Sequence, residues 1–543
     1  MKPTPSHSLL PQSAAEELIV AQALALYGDS KNIADNAPHG QFLNHAEAAV
    51  INKGRELLRT TLQTLAQEKI HDIEKKRNEG MSEVPNEKKT PRIAENTMSA
   101  LTSHSPSKIK FRLSCPHCWQ EFSTEDILFI SESPDLPADP KLPSDRLRFL
   151  PQRFNLAGTA LDPRGVPCEK LACPECHLQI PRPWLYLNSF FLSIAGAPAS
   201  GKSYYLASMI WQLRKTMAKK FCSNFTDADP QMNRRIFDCE TTLFTGSDNP
   251  NKLVRIDKTD VAGNIYNNTV VNGTDTVLAQ PFTYTTEPMP KHPLLQKANR
   301  TRQVICVYDN AGEHFLPGMD HITTPVTRHM AKSDALLFVF DPTQDVRFRS
   351  ACTEPVNDPQ MCSGESTETQ RRIHSTRQDT VLVNVLTQIR NLNLLSPNDK
   401  IKMPLIIVLT KYDAWQQLGR GKFPQGKAPE ELEPWKLTAN GVINYYNSDR
   451  VEKYSQILRE LLLDLIPNLV SAAESAVESV TYIAVSATGG PPELGEPDEN
   501  GEHPLCYRPI NVKPIWAEVP FLHAQFLTHK STVPFVKDGK AIM

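Results

Sequence analysis

Eight consecutive residues, Gly196-Ala197-Pro198-Ala199-Ser200-Gly201-Lys202-Ser203, have the spacing GxxxxGK[ST]. A loop of this kind can wrap its backbone N–H groups around a phosphate. Its glycines allow the tight path and leave room for close approach. Lys202 brings a cation to phosphate oxygens, and the Ser203 hydroxyl can ligate Mg²⁺. The loop follows an apolar run, Phe190–Ala195, and leads into Leu206, Met209, Ile210, Leu213 and Met217, which share one face of a helix. This strand–loop–helix order is what the chemistry needs, because a helix N-terminus adds free N–H groups and positive potential.

Three further short strings each follow an apolar strand. Asp309-Asn310-Ala311-Gly312 comes after Val304–Tyr308, Thr410-Lys411-Tyr412-Asp413 after Leu405–Leu409, and Ser486-Ala487-Thr488 after Thr481–Val485. In that order they resemble the DxxG, [NT]KxD and SA[KL] motifs of the Ras-like and translation-factor GTPases of the TRAFAC class, over roughly residues 188–490. The resemblance implies bound GTP or GDP with Mg²⁺. Asp309 would hold the metal through a water, and the Gly312 N–H would meet the γ-phosphate. Lys411 would lay its stem along the base, Asp413 would accept from guanine N1 and N2, and the Ser486–Thr488 loop would read O6. Adenine offers Asp413 no such donors, and a buried acceptor left unpaired discriminates strongly. A P-loop ATPase stays open as the alternative.

The chain also departs from that pattern. Residues 204–308 far exceed a minimal connection to the DxxG strand, so the Mg²⁺-binding threonine of switch I must be sought inside them; Thr259 is the first choice and Thr276 the second. Glu313 stands where many Ras-like enzymes have glutamine. Glu313 and His314 are both candidates to order an attacking water, or solvated switch residues. Slow intrinsic hydrolysis is the expectation. A polar insertion from Pro342 to about Gln378 would cover the nucleotide edge or contact a partner. Its Arg371, Arg372 and Arg377 read as solvated, with a catalytic role as the alternative.

A different chemistry is implied by Cys115-Pro-His-Cys118 and Cys173-Pro-Glu-Cys176. Two CxxC turns can offer four thiolates to a closed tetrahedral Zn²⁺ site, which can fold a module with little core. They resemble the halves of a zinc ribbon. Their separation, residues 119–172, exceeds the roughly 15–20 residues common between such pairs, so an insertion is expected. Cys168 and His177 are nearby spares, and a redox dithiol or unligated cysteines are the alternatives. Glu121, Glu125 and Asp126 beside Phe111, Arg112 and Trp119 argue against nucleic acid and for a structural or protein-binding role.

These motifs must be positioned by a larger architecture. Five apolar strands alternating with helical stretches predict an α/β fold: a Ras-like P-loop NTPase with a mostly parallel sheet and helices on both faces, preceded by a helical region and the zinc-ribbon module. The divisions are 1–80 (helical, with patches at Ala14–Tyr27 and Ala46–Lys75), 81–108 (polar linker), 109–186 (cysteine module), 187–490 (GTPase domain with insertions) and 491–543 (tail with a final helix within Ile515–Leu527). At 543 residues more than one structural unit is expected, and a net charge of −2 points to no polyanionic partner. No apolar run is long enough to span a membrane, and no secretory signal is evident. With eleven cysteines, most of them scattered, a reducing cytoplasm is expected.

A zinc ribbon ahead of a Ras-like domain with large insertions also resembles bacterial "double-GTPase" proteins, which implies a switch working with partner proteins. Two functional classes follow: a hydrolysing switch whose turnover resets a partner interaction, or a nucleotide-loaded scaffold without significant hydrolysis.

Overall fold

The computed structural model describes residues 109–543 except 247–248, 257–265, 291, 293–294, 296–300, 311–326, 353–358, 360–376, 397, 420–421, 424–428, 430–431, 438–442, 498–502, 539 and 543. The expected N-terminal helices and linker lie outside the described residues, as do Thr259, Gly312, Glu313, His314, Arg371 and Arg372.

The centre is a seven-stranded sheet. Its elements in chain order are β1 (Asn188–Gly196), α1 (Lys202–Phe221), β2 (Ser223–Asp227), β3 (Phe282–Pro288), β4 (Gln303–Asp309), β5 (Ala335–Phe340), α2 (Gln378–Leu392), β6 (Leu405–Leu409), α3 (Ser448–Leu465), α4 (Pro467–Ala476), β7 (Val480–Ala484) and, beyond the sheet, α5 (Val519–Leu527). The strand order is β2-β3-β4-β1-β5-β6-β7. β4, β1, β5, β6 and β7 pair in parallel, and β3 is antiparallel to both its neighbours. The fold is therefore mixed α/β with a largely parallel sheet. β5 and β6 are buried at every residue, which is why both read as unbroken apolar runs.

Alternation along β4 divides its side chains between two cores. Ile305 and Val307 join the main core with Phe190, Leu192 and Ile194. Val304, Cys306 and Tyr308 join a second cluster built chiefly from the cysteine module. α5 packs on the first face, its Phe521 ring 5.8 Å from Phe190 and 6.1 Å from Phe225. On the opposite face, beside the cysteine module, lies a short helix, Arg328–Lys332, whose His329 stacks on Tyr308 at 4.5 Å. α2 packs on that helix. α1 carries its stripe of Leu206, Met209, Ile210, Leu213 and Met217 wholly inside the core.

The long connection between α1 and β4 supplies two of the sheet strands, β2 and β3. It also forms a hairpin, Tyr266–Val271 with Thr274–Ala279, that leans on the cysteine module through Leu278, Ala279 and a 2.7 Å bond from Thr269 Oγ1 to the Cys176 carbonyl. The chain beyond Gly489 also adds structure. A small hairpin pairs Glu493–Leu494 with Leu505–Cys506, and Phe535–Lys537 joins a second, four-stranded sheet beside Asn444–Asn447. The final helix begins at Val519, later than Ile515.

Candidate functional site

The loop Gly196–Ser203 leaves the C-terminal end of β1, at the centre of the parallel strands. Two features explain its glycines. A Cβ at Gly196 would stand 2.5 Å from the Val339 carbonyl oxygen, so β5 closes that position to any side chain. Gly201 has φ +88° and open space around its missing Cβ, so backbone conformation alone requires glycine there. It precedes α1 with no side-chain cap, which leaves the first N–H groups of a twenty-residue helix directed at the loop. Lys202 is buried, and its ammonium donates to the carbonyls of Gly196 (3.0 Å) and Ala197 (2.8 Å), so a cation lies inside the turn.

Neighbouring strand ends hold this loop in shape. Thr410, after β6, donates its hydroxyl to the carbonyls of Ser200 and Phe340, both at 3.1 Å. Gln344, after β5, donates to the Ala199 carbonyl at 3.0 Å. Lys411 adopts φ +54° and pairs with the buried Asp341 carboxylate at 2.6 Å. Ser486, after β7, donates a 2.5 Å hydrogen bond to Asp413 Oδ1, which orients that carboxylate. The motif residues separated by nearly three hundred positions thus share one edge of the sheet, the edge at which open α/β sheets bind ligands.

They also share a cleft of about 160 Å³, lined by Ala199, Gly201, Tyr204, Thr410, Lys411, Asp413, Ala487, Thr488, Leu505 and Tyr507. Tyr204, Leu505 and Tyr507 were not singled out by the sequence reading, nor were Asp341 and Gln344. The strand-end position of Asp341-Pro-Thr-Gln344 is a usable signal for the last two. Nothing local marks Leu505 or Tyr507.

Asp309 ends β4 and is buried, and its Oδ1 accepts no hydrogen bond from the described residues. Burial raises its carboxyl above the usual range, opposed by the positive charges of Lys202 and Arg235. An unsatisfied buried carboxylate oxygen within reach of the Lys202 charge suits a hydrated divalent cation, which Asp309 with the Ser203 hydroxyl of the loop would hold. Next to it, Asn310 Nδ2 donates to His329 Nε2 at 2.8 Å, and His329 Nδ1 meets Ser193 Oγ at 2.6 Å. Thr276 is not part of this assembly. It sits in the hairpin against the cysteine module, its hydroxyl on the Thr274 carbonyl. Arg377 is an exposed partner of Asp379.

The four cysteines form the second site. All are buried, and their sulfurs lie within 4.8 Å of one another. Cys115 and Cys176 sulfurs are 3.7 Å apart, and Cys118 and Cys173 sulfurs 3.8 Å. Metal–sulfur bonds of about 2.3 Å in a tetrahedron require sulfurs about 3.8 Å apart, whereas a disulfide requires about 2.05 Å. The residues therefore fit a tetrahedral S₄ metal site. The two knuckles repeat one geometry. The N–H of His117 points to Cys115 Sγ and that of Glu175 to Cys173 Sγ, both at 3.3 Å, and Trp119 and His177 each turn to positive φ one residue after the second cysteine. Cys168 bonds a backbone carbonyl and His177 pairs with Asp139, so both spares are engaged elsewhere.

These features define a mixed α/β protein with a largely parallel sheet, a loop suited to anions at its centre and a buried four-cysteine cluster. No protein-family model matches the chain. It is similar to SaeC of Mycolicibacterium smegmatis, provisionally named an ESX-1 scaffolding and assembly protein: 25% identity over 356 residues, covering 62% of this chain and 77% of that protein. Among the described residues, no helix is long and apolar enough to cross a membrane.

Proposed function

We propose that the protein is a guanine-nucleotide-loaded scaffold, a Ras-like P-loop protein whose bound GTP or GDP sets the surface offered to partner proteins. The observation that carries the reading is the single cleft joining the phosphate loop to Asp413, with Ser486 aiming its carboxylate. Lys202 and the first N–H groups of α1 would receive the phosphates, and Ser203 and Asp309 the Mg²⁺, which supplies charge neutralisation when bound. Asp413 would read guanine. The scaffold role, rather than turnover alone, draws support from the similarity to a protein named for scaffolding and assembly. The four cysteines would hold a structural Zn²⁺.

Hydrolysis is the second reading: the unsatisfied Asp309 carboxylate oxygen beside Lys202 offers Mg²⁺ a place in either reading, and turnover distinguishes the two. The chain would then be a slow GTPase switch. Both readings are tested by titrating GDP, GTP, ADP and ATP with Mg²⁺ against the full chain and its Asp413→Asn variant. Guanine preference that moves toward xanthine nucleotides in the variant supports the site. Equal or tighter adenine binding defeats it and returns the chain to the P-loop ATPases. Single-turnover GTP hydrolysis, measured beside partner binding in a Lys202→Ala variant, separates scaffold from switch.

A further inference from the structure

Guanine is a flat apolar ring system with a polar edge, so a site that recognises it needs donors and acceptors for the edge and apolar surface for a face. The edge chemistry in the cleft comes from Asp413, Ala487 and Thr488. The large apolar surface comes from Tyr204, at the start of α1, and from Leu505 and Tyr507, in and just after the small hairpin beyond the last sheet strand. Leu505, Cys506 and Tyr507 alternate as a strand must: Cys506 is buried, while its two neighbours line the cleft. Leu505 keeps 39% of its surface exposed, high for a leucine beside a well-packed sheet.

This wall is firmly mounted. Tyr507 exchanges two 2.8 Å backbone hydrogen bonds with Val254. Its ring lies 5.4 Å from that of Tyr204, whose hydroxyl accepts from the Ile256 N–H at 2.9 Å. Arg508 grips Glu493 across the hairpin at 2.7 Å and reaches the Asn251 carbonyl at 2.6 Å. A preorganised aromatic ring costs little to order when a ligand lands on it.

We infer that Tyr507, with Leu505 beside it, is the stacking wall for the purine base, so that a segment outside the nucleotide motifs completes the base subsite. The inference rests on the guanine-nucleotide reading above. Aromatic–base stacking is sequence-tolerant, so the wall adds affinity for the base while Asp413 supplies the choice of base.

The test measures binding of GDP and of inorganic pyrophosphate, which has no base, to the full chain and to Tyr507→Ala and Tyr507→Phe. The expected result is a loss of GDP affinity on the order of tenfold in Tyr507→Ala, near-parent GDP affinity in Tyr507→Phe, and pyrophosphate affinity unchanged in both. Unchanged GDP affinity in Tyr507→Ala overturns the inference, as does equal weakening of GDP and pyrophosphate, which would mean general damage. Should Tyr507→Ala fold poorly, Leu505→Ala, at an exposed position, carries the same comparison with the same two overturning results. A parent protein that binds pyrophosphate but no guanine nucleotide overturns the guanine-nucleotide reading itself, an outcome visible before any variant is compared.

Discussion

The Tyr308 hydroxyl donates a 2.6 Å hydrogen bond to the carbonyl of Pro116, fastening the first cysteine knuckle to the strand position just before Asp309. Trp119, from the same knuckle, packs 5.8 Å from the Tyr308 ring and 4.7 Å from that of Phe191. The cysteine module is therefore packed against one face of the sheet, with Tyr308 of β4 in its core.

Cys115→Ser with Cys173→Ser is expected to release one equivalent of zinc per chain and lower the stability of the sheet as well as the module. Elemental analysis with denaturant unfolding checks this. Tyr308→Phe, which keeps the metal and removes one buried bond, is expected to cost about 1 kcal/mol. Unchanged metal content in the double variant would remove the assignment.

Gly196→Ala sets a methyl group against the Val339 carbonyl at 2.5 Å, with backbone rather than a flexible side chain in the way. Overpacking of this kind costs roughly 1–3 kcal/mol. Nucleotide binding is expected to fall with it, because the loop must shift away from β5. Urea unfolding and GDP titration on the same preparation check both effects.

Thr410→Val keeps the volume and deletes the hydroxyl that ties the Gly196–Ser203 loop to the end of β5. The expected destabilisation is about 1 kcal/mol, with faster GDP release as the loop loses its brace. Stopped-flow displacement of a fluorescent GDP analogue is the measurement; an unaltered release rate would show that the brace does not limit dissociation.

His523 is fully buried between Tyr446 (2.9 Å to its hydroxyl) and Thr481, and burial lowers its pKa to about 3. His329 is lowered to about 3 in the same way. With an unfolded value of about 6.5, the unfolded chain binds more protons between these limits, so stability rises with pH from about 3 to 6.5 and is lost as pH falls. His523→Gln is expected to flatten that acid limb while lowering stability at pH 7. Unfolding free energies at pH 7 and pH 4.5 test it, and an equal loss at both would contradict it.

How much of this was legible beforehand differs from element to element. β5 and β6 coincide with the apolar runs Ala335–Phe340 and Leu405–Leu409 read in the sequence, because a strand buried on both faces must be apolar throughout. β2 and β3, Ser-Asn-Phe-Thr-Asp and Phe-Thr-Tyr-Thr-Thr-Glu-Pro, carry no such signal. Their strand character comes from pairing with each other and with β4, contacts that a local pattern does not contain.

The sequence by itself determined the glycine-bearing loop Gly196–Ser203, the order of the strand-end motifs and the two CxxC pairs, since each depends on residue types a few positions apart. Only the tertiary structure decided that the four sulfurs converge to tetrahedral spacing, and that the cysteine module shares a core with Val304, Cys306 and Tyr308. It alone placed Ser486 on Asp413, and Leu505 and Tyr507 in the cleft. These are contacts between segments distant in the chain, made by the strand order and the return of the tail over the sheet edge. Local composition has no means of encoding which distant neighbour a side chain will meet.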